Sequence, residues 1–171
     1  MYNKEKFMFD GLLLQELIKK ENNMPLTQIF GYPTAEERIE KLLEIKPHAD
    51  KDAYAMYVRM VIQVDTHNVQ LEALLDALHG LKPKDLMYKC ELEEFEKLPD
   101  ELTIYRGTNV FEKQPRISWS LSKDTAMRFY NGKMFTAIVN KNDVFGYFTH
   151  NCKEREILAY IKESDCSYTE F

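Results

Sequence analysis

The apolar residues of this chain change period near residue 98, and that change limits the folds open to it. From residue 4 to about 98 they recur at threes and fours, as in Phe7, Leu13, Leu14, Leu17 and Ile18, the spacing of one helix face. From residue 102 they come in short runs rich in β-branched and aromatic residues: "LTIYRG", "RISWS", "MFTAIV", "VFGYF", "REILAYI" and "CSYTEF". Such runs build strands. Helices first and strands after is the α+β pattern. The expected architecture is a helical N-terminal half, residues 1–98, packed on a small mixed, mostly antiparallel sheet formed by residues 99–171. A chain of 171 residues is long enough to bury a core as one compact domain.

Local signals punctuate the helical half. In "GYPTAEERIEKLLEIKP", Thr34 is placed as an N-cap with Glu37 three residues on, and Pro47 closes the segment. Residues 51–80 carry Tyr54, Tyr57, Val58, Val61 and Ile62, then Leu71, Leu74, Leu75 and Leu78, and stop at Gly80 with Pro83 beyond. They read as one long helix, or as two broken near "DTHN". A further helix is expected over about 84–97, ending before Pro99. Within the strand half, "KDTAMRFYN" places Ala126 and Phe129 on one helical face and predicts one short helix. No internal repeat, low-complexity tract or linker interrupts the chain.

Charge and cysteine usage narrow the partners. A formal net charge of -5 and a pI near 5.5 oppose broad attraction to nucleic acid or to an anionic membrane, which favours a protein or small-molecule partner. Cys90, Cys152 and Cys166 are odd in number and lack paired spacing, so a reducing, cytoplasmic setting is expected. The run "GLLLQELI" is short and has no cleavage site after it, so it reads as an amphipathic helix and not as a signal peptide or membrane span. None of His48, His67, His79 and His150 pairs at metal spacing, and "HNC" offers one His with one Cys, so no metal site is expected. A nucleophile pair of Cys90 or Cys152 with His150 stays open, against the simpler reading of cysteines as packing residues. No glycine-rich phosphate loop is present.

Three features of the strand half carry chemistry. "KEREILAY" places Glu154 and Glu156 on one side of a strand, where each opposes the ionisation of the other. Alone, the pair reads as a charged strand edge. Arg106 ends the first strand in "YRG", before Gly107, which lets the backbone turn closely around a ligand. That arginine is either a salt-bridge partner or a bidentate phosphate clamp. "ISWSLS" puts the hydroxyls of Ser118 and Ser120 on one strand face, with Ser120 or Ser122 alternatively capping the next helix. Arginine, serine pair and glutamate pair, each on its own strand, would converge on one cleft.

That order resembles the ADP-ribosyltransferases of the arginine-serine-glutamate class, which include bacterial toxins and phage-encoded modifying enzymes. The resemblance covers about Leu98 to Tyr160, through "LPDELTIYRGT", "ISWSLSKDTAMRFY" and "EREIL". It implies an ADP-ribosyltransferase-type sheet core and NAD as co-substrate, with no metal. Arg106 would hold the NAD phosphates, and Ser118, with Ser120 beside it, would support the catalytic glutamate. Glu156 would be catalytic, bonding the 2'-hydroxyl of the nicotinamide ribose. Phe129 stands where the family places an aromatic against the nicotinamide, and Gly107 and Trp119 would meet the dinucleotide through backbone. Glu154 would align an arginine acceptor, with "YFTHNCK" facing the target. Trp119 replaces the small polar residue common in the family, and the spacing from Arg106 to the serine motif is short.

The implied activity is mono-ADP-ribosyl transfer from NAD to a target protein on arginine, by a toxin or a phage or bacterial effector. Its rivals are an inactive protein of the same fold that binds and inhibits a partner, and transfer to nucleic acid, which the acidic total disfavours.

Overall fold

The computed structural model describes residues 34–64, 70–112, 116–149 and 155–170. The helix expected in the first 20 or so residues, and the "DTHN" segment, lie outside them. The chain divides into two compact units between Tyr88 and Lys89.

The first unit holds four helices among its described residues: α1 (Ala35–Ile45), α2 (Lys51–Val64), α3 (Leu71–Leu78) and α4 (Pro83–Leu86). Thr34 caps α1 as its sequence predicts. Its hydroxyl accepts from Glu37 N at 3.2 Å, and its own N–H donates to the Glu37 carboxylate at 3.1 Å. The apolar stripe read at threes and fours is the core: Ile39 and Leu42, then Tyr54, Tyr57, Val58 and Val61, then Leu74 and Leu78, are all buried. Stretch 51–80 thus forms two helices. Inside this core the Tyr54 hydroxyl donates to Ala77 O at 3.0 Å.

The helix expected over 84–97 is two, α4 and α5 (Lys89–Glu96), because Met87 is extended (φ -96, ψ 145). The reason is a long-range competitor. Arg59, buried in α2, donates through Nη1 to Leu86 O at 2.7 Å and stacks 3.8 Å over the Tyr88 ring. A continuous helix would need that carbonyl for the N–H of residue 90.

The second unit begins with α5 and contains β1 (Glu101–Asn109), β2 (Ser118–Ser120), α6 (Lys123–Met127), β3 (Gly132–Asn140), β4 (Val144–Phe148), β5 (Glu156–Ala159) and β6 (Cys166–Glu170). Its six strands form one sheet in the order β4-β5-β2-β1-β3-β6. All five pairings are antiparallel, which fits hairpins between consecutive strands and half-buried alternation. The longest ladder runs from Glu101↔Asn140 to Asn109↔Gly132. Ile104, Ile117, Trp119, Phe135, Tyr147, Ile157 and Leu158 fill the core of this unit. The class is therefore α+β. Among the described residues no helix is long and apolar enough to cross a membrane.

Candidate functional site

The sheet order brings three sequence-distant strands side by side. β2 lies between β1 and β5, so the segments carrying Arg106, Ser118 and Glu156 become neighbours. Ser118 pairs with Leu158 and Ser120 with Glu156, which puts Ser118, Ser120 and Glu156 on one face of the sheet. Glu156 is the diagonal neighbour of Ser118, within reach of a long side chain. The Ser118 hydroxyl donates to Glu156 Oε1 at 2.6 Å, the short distance of a charge-assisted bond. From β1, Arg106 donates through Nη1 to Ser118 O at 2.9 Å. Ser118 thus meets Arg106 through its backbone carbonyl and Glu156 through its hydroxyl, while the register pairs Tyr105 with Ser120 and so puts Tyr105, and not Arg106, on the face of Ser118 and Glu156.

The other face of the guanidinium meets a carboxylate that the sequence reading did not single out. Arg106 Nη2 donates to Glu112 Oε1 at 3.1 Å. The Nε–H of Arg106 is buried and finds no acceptor among the described residues. Glu112 returns to Arg106 because Asn109, ending β1, accepts from Phe111 N at 2.9 Å and Glu112 N at 3.1 Å through its side chain, an Asx-type turn. The Thr108 hydroxyl donates to the second oxygen of Glu112. Arg116 Nε stands 3.8 Å from the first. Lys133 Nζ reaches the Glu112 carbonyl at 3.3 Å and lies 4.2 Å over the Tyr168 ring. An Asn closing a strand just ahead of an acid was the signal available for this turn.

The remaining site candidates have definite local jobs. Trp119 is buried and donates through Nε1 to Ala159 O at 3.1 Å, tying β2 to β5. Ser120 accepts from Ser122 N at 3.0 Å, and Ser122 accepts from Thr125 N at 3.2 Å as the N-cap of α6. Gly107 lets the end of α6 lie against β1. A Cβ there would collide with Ala126 O and stand 2.7 Å from Tyr130 N and 3.0 Å from the carbonyl carbon of Phe129. The backbone of Phe129 therefore lies over Gly107, on the sheet face opposite to that of Arg106, and its side chain is 56% exposed. Glu154, His150 and Cys152 lie outside the described residues.

Helix α5 supports the approach to Glu156. Glu91, fully buried, accepts from Thr149 N at 3.0 Å. Arg155 adopts a left-handed backbone (φ 48), uncommon for a residue with a side chain. Its Nε donates to the Tyr147 hydroxyl at 3.2 Å, and that hydroxyl reaches Glu94 Oε2 at 3.3 Å. Burial pushes the Tyr147 phenol up, against the opposing pull of Arg155. The arginine is held above its ordinary range by its bond to Tyr147. No composition or period could have announced these pairs.

Burial, with Asp165 and Glu163 alongside, pushes the Cys166 thiol up to about 11, so it carries little thiolate near neutral pH. Cys90 is exposed on α5. Among the described residues no group of three or more His, Cys, Asp or Glu is arranged to hold a metal ion. The assembled side chains can bind an anion at Arg106 and present a fixed carboxylate at Glu156. No family model, curated protein or solved structure matches this chain.

Proposed function

We propose that this protein is a mono-ADP-ribosyltransferase of the arginine-serine-glutamate class, using NAD as co-substrate and acting in the cytoplasm of the producing or host cell. One observation carries the reading. Arg106, Ser118 and Glu156 lie on three adjacent strands, with Ser118 bonded to Arg106 through its carbonyl and to Glu156 through its hydroxyl.

The residues suit a dinucleotide at the arginine, whose guanidinium already receives one carboxylate and keeps a buried Nε–H in reserve. Arg106 would hold the NAD phosphates, with the exposed ring of Phe129 near the nicotinamide. Breaking the bond between ribose C1' and the nicotinamide nitrogen sends the electron pair to the nicotinamide and leaves positive charge on the ribose. Glu156, oriented by Ser118, faces the 2'-hydroxyl and stabilises that charge, which exists in the transition state and not in bound NAD. A nitrogen of the acceptor guanidine then bonds to C1'. Its proton passes to a carboxylate, the role given to Glu154. The target is a protein arginine.

Incubation with labelled NAD and cell lysate, wild type beside Glu156→Ala, tests this. Labelled protein and nicotinamide release from wild type are expected, with loss of about 100- to 1000-fold in the variant, the usual effect of removing one preorganised electrostatic contact. Neither label nor nicotinamide from wild type would overturn the enzyme reading. A labelled nucleotide or a non-arginine residue, found by mass spectrometry, would overturn the acceptor.

A further inference from the structure

The anion-reading arginine is already engaged by the chain itself. Glu112 lies against Arg106 and Thr108 and near Arg116, and its own carbonyl receives Lys133. Three basic side chains at one turn make a local positive cluster in a chain of net charge -5, the electrostatic mark of an anion site. Lys133 is 6% exposed, so this charge is built into the fold. The buried Nε–H of Arg106 finds no acceptor among the described residues, Glu112 included. A diphosphate brings more non-bridging oxygens and more negative charge than a carboxylate does. The turn delivering Glu112 is also poorly anchored by packing: Phe111 is 85% exposed and Val110 47%.

We propose that Glu112 is an intramolecular stand-in for the ligand's phosphates, and that the cluster of Arg106, Thr108, Arg116 and Lys133 takes a diphosphate after Glu112 withdraws. That the diphosphate belongs to NAD rests on the transferase reading; the exchange of carboxylate for anion does not. Because Glu112 is tethered, it competes at a high effective concentration. The apparent affinity for the ligand is lowered in proportion to the fraction of molecules in which Glu112 is out. The acid at position 112 would therefore set the ligand concentration at which the protein works.

Calorimetric titration of the full chain with inorganic pyrophosphate, and separately with NAD, tests the proposal at low salt in wild type, Glu112→Gln and Asn109→Ala. The second variant leaves the carboxylate intact and removes the turn that delivers it. Both should bind pyrophosphate about tenfold more tightly than wild type, the factor for a competent fraction of about one in ten. In wild type, pyrophosphate should speed hydrogen exchange at Phe111 N and Glu112 N as the turn is released, a readout that needs no variant to fold. Unchanged exchange, or equal or weaker binding by folded variants, would overturn the proposal. Tighter pyrophosphate binding without nicotinamide release from NAD would leave the exchange standing and remove the transferase. Nicotinamide release without tightening would do the reverse.

Discussion

The hydroxyl of Ser118 on β2 donates to the carboxylate of Glu156 on β5 across 2.6 Å, although 38 positions separate them. The bond crosses the sheet diagonally, because Ser118 is paired with Leu158. It spends the serine's one donor on the glutamate and fixes the position of one carboxylate oxygen.

Ser118→Ala should therefore lower the rate of nicotinamide release at saturating NAD by roughly tenfold or more, as for loss of a bond to a charged group, with KM less affected. Initial-rate kinetics across NAD concentrations checks this. An unchanged kcat would show that Glu156 holds its place without the serine.

Gly107→Ala should destabilise the second unit by about 1–3 kcal/mol or more, because the added methyl meets the backbone of Ala126 and Tyr130, which cannot rotate aside. Urea titration followed by tryptophan fluorescence reads this directly, since Trp119 is buried in that unit. A midpoint equal to wild type would mean that α6 shifts freely off β1.

Trp119→Phe should cost about 1–3 kcal/mol in stability by removing the donor to Ala159 O and leaving a small void between β2 and β5. Circular dichroism melting under urea would register it. A loss below about 0.5 kcal/mol, the range of ordinary surface substitutions, would remove the indole from the list of ties between these strands.

Asp85 gives a pH prediction in the first unit. Burial raises its carboxyl, but the hydrogen bonds from Lys51 and from Lys82 N, with the charges of Lys51 and Lys84, bring it below the ordinary aspartate range. Lys51 Nζ lies 2.7 Å from it, joining α2 to α4. A carboxyl depressed in the folded state adds stability above its unfolded value and loses it as pH falls through the folded one. The stability gap between wild type and Asp85→Asn should therefore narrow as pH drops below about 4, near where unfolded aspartate titrates. Urea midpoints between about pH 6 and pH 3 would show it. A gap that stays constant would mean that the contribution of Asp85 does not depend on its charge.

Local rules carried much of this far. The Thr34 cap, the buried stripe of α2 and the short strands after residue 101 all follow from spacing within a few residues, except that β1 does not end at Arg106 but continues through Gly107 to Asn109, held there by its ladder with β3. The Arg106, Ser118 and Glu156 segments could be ordered along the sequence, but their adjacency depends on β2 inserting between β1 and β5, a pairing between distant segments. The break at Met87 was hidden for the same reason, since it depends on Arg59 reaching a carbonyl 27 positions away. Glu112 was passed over because a single acid after a strand carries no period, and its meaning comes from the cations that the fold gathers around it.

β2 has three residues, yet in the strand order it alone connects β4 and β5 to β1, β3 and β6. Arg106 belongs to one part of the sheet and Glu156 to the other, so the tripeptide Ser118-Trp119-Ser120 is the seam across which their spacing is measured. The indole of Trp119 and the hydroxyl of Ser118 fasten β2 to β5 on one side of that seam, and Arg106 reaches the Ser118 carbonyl from β1 on the other.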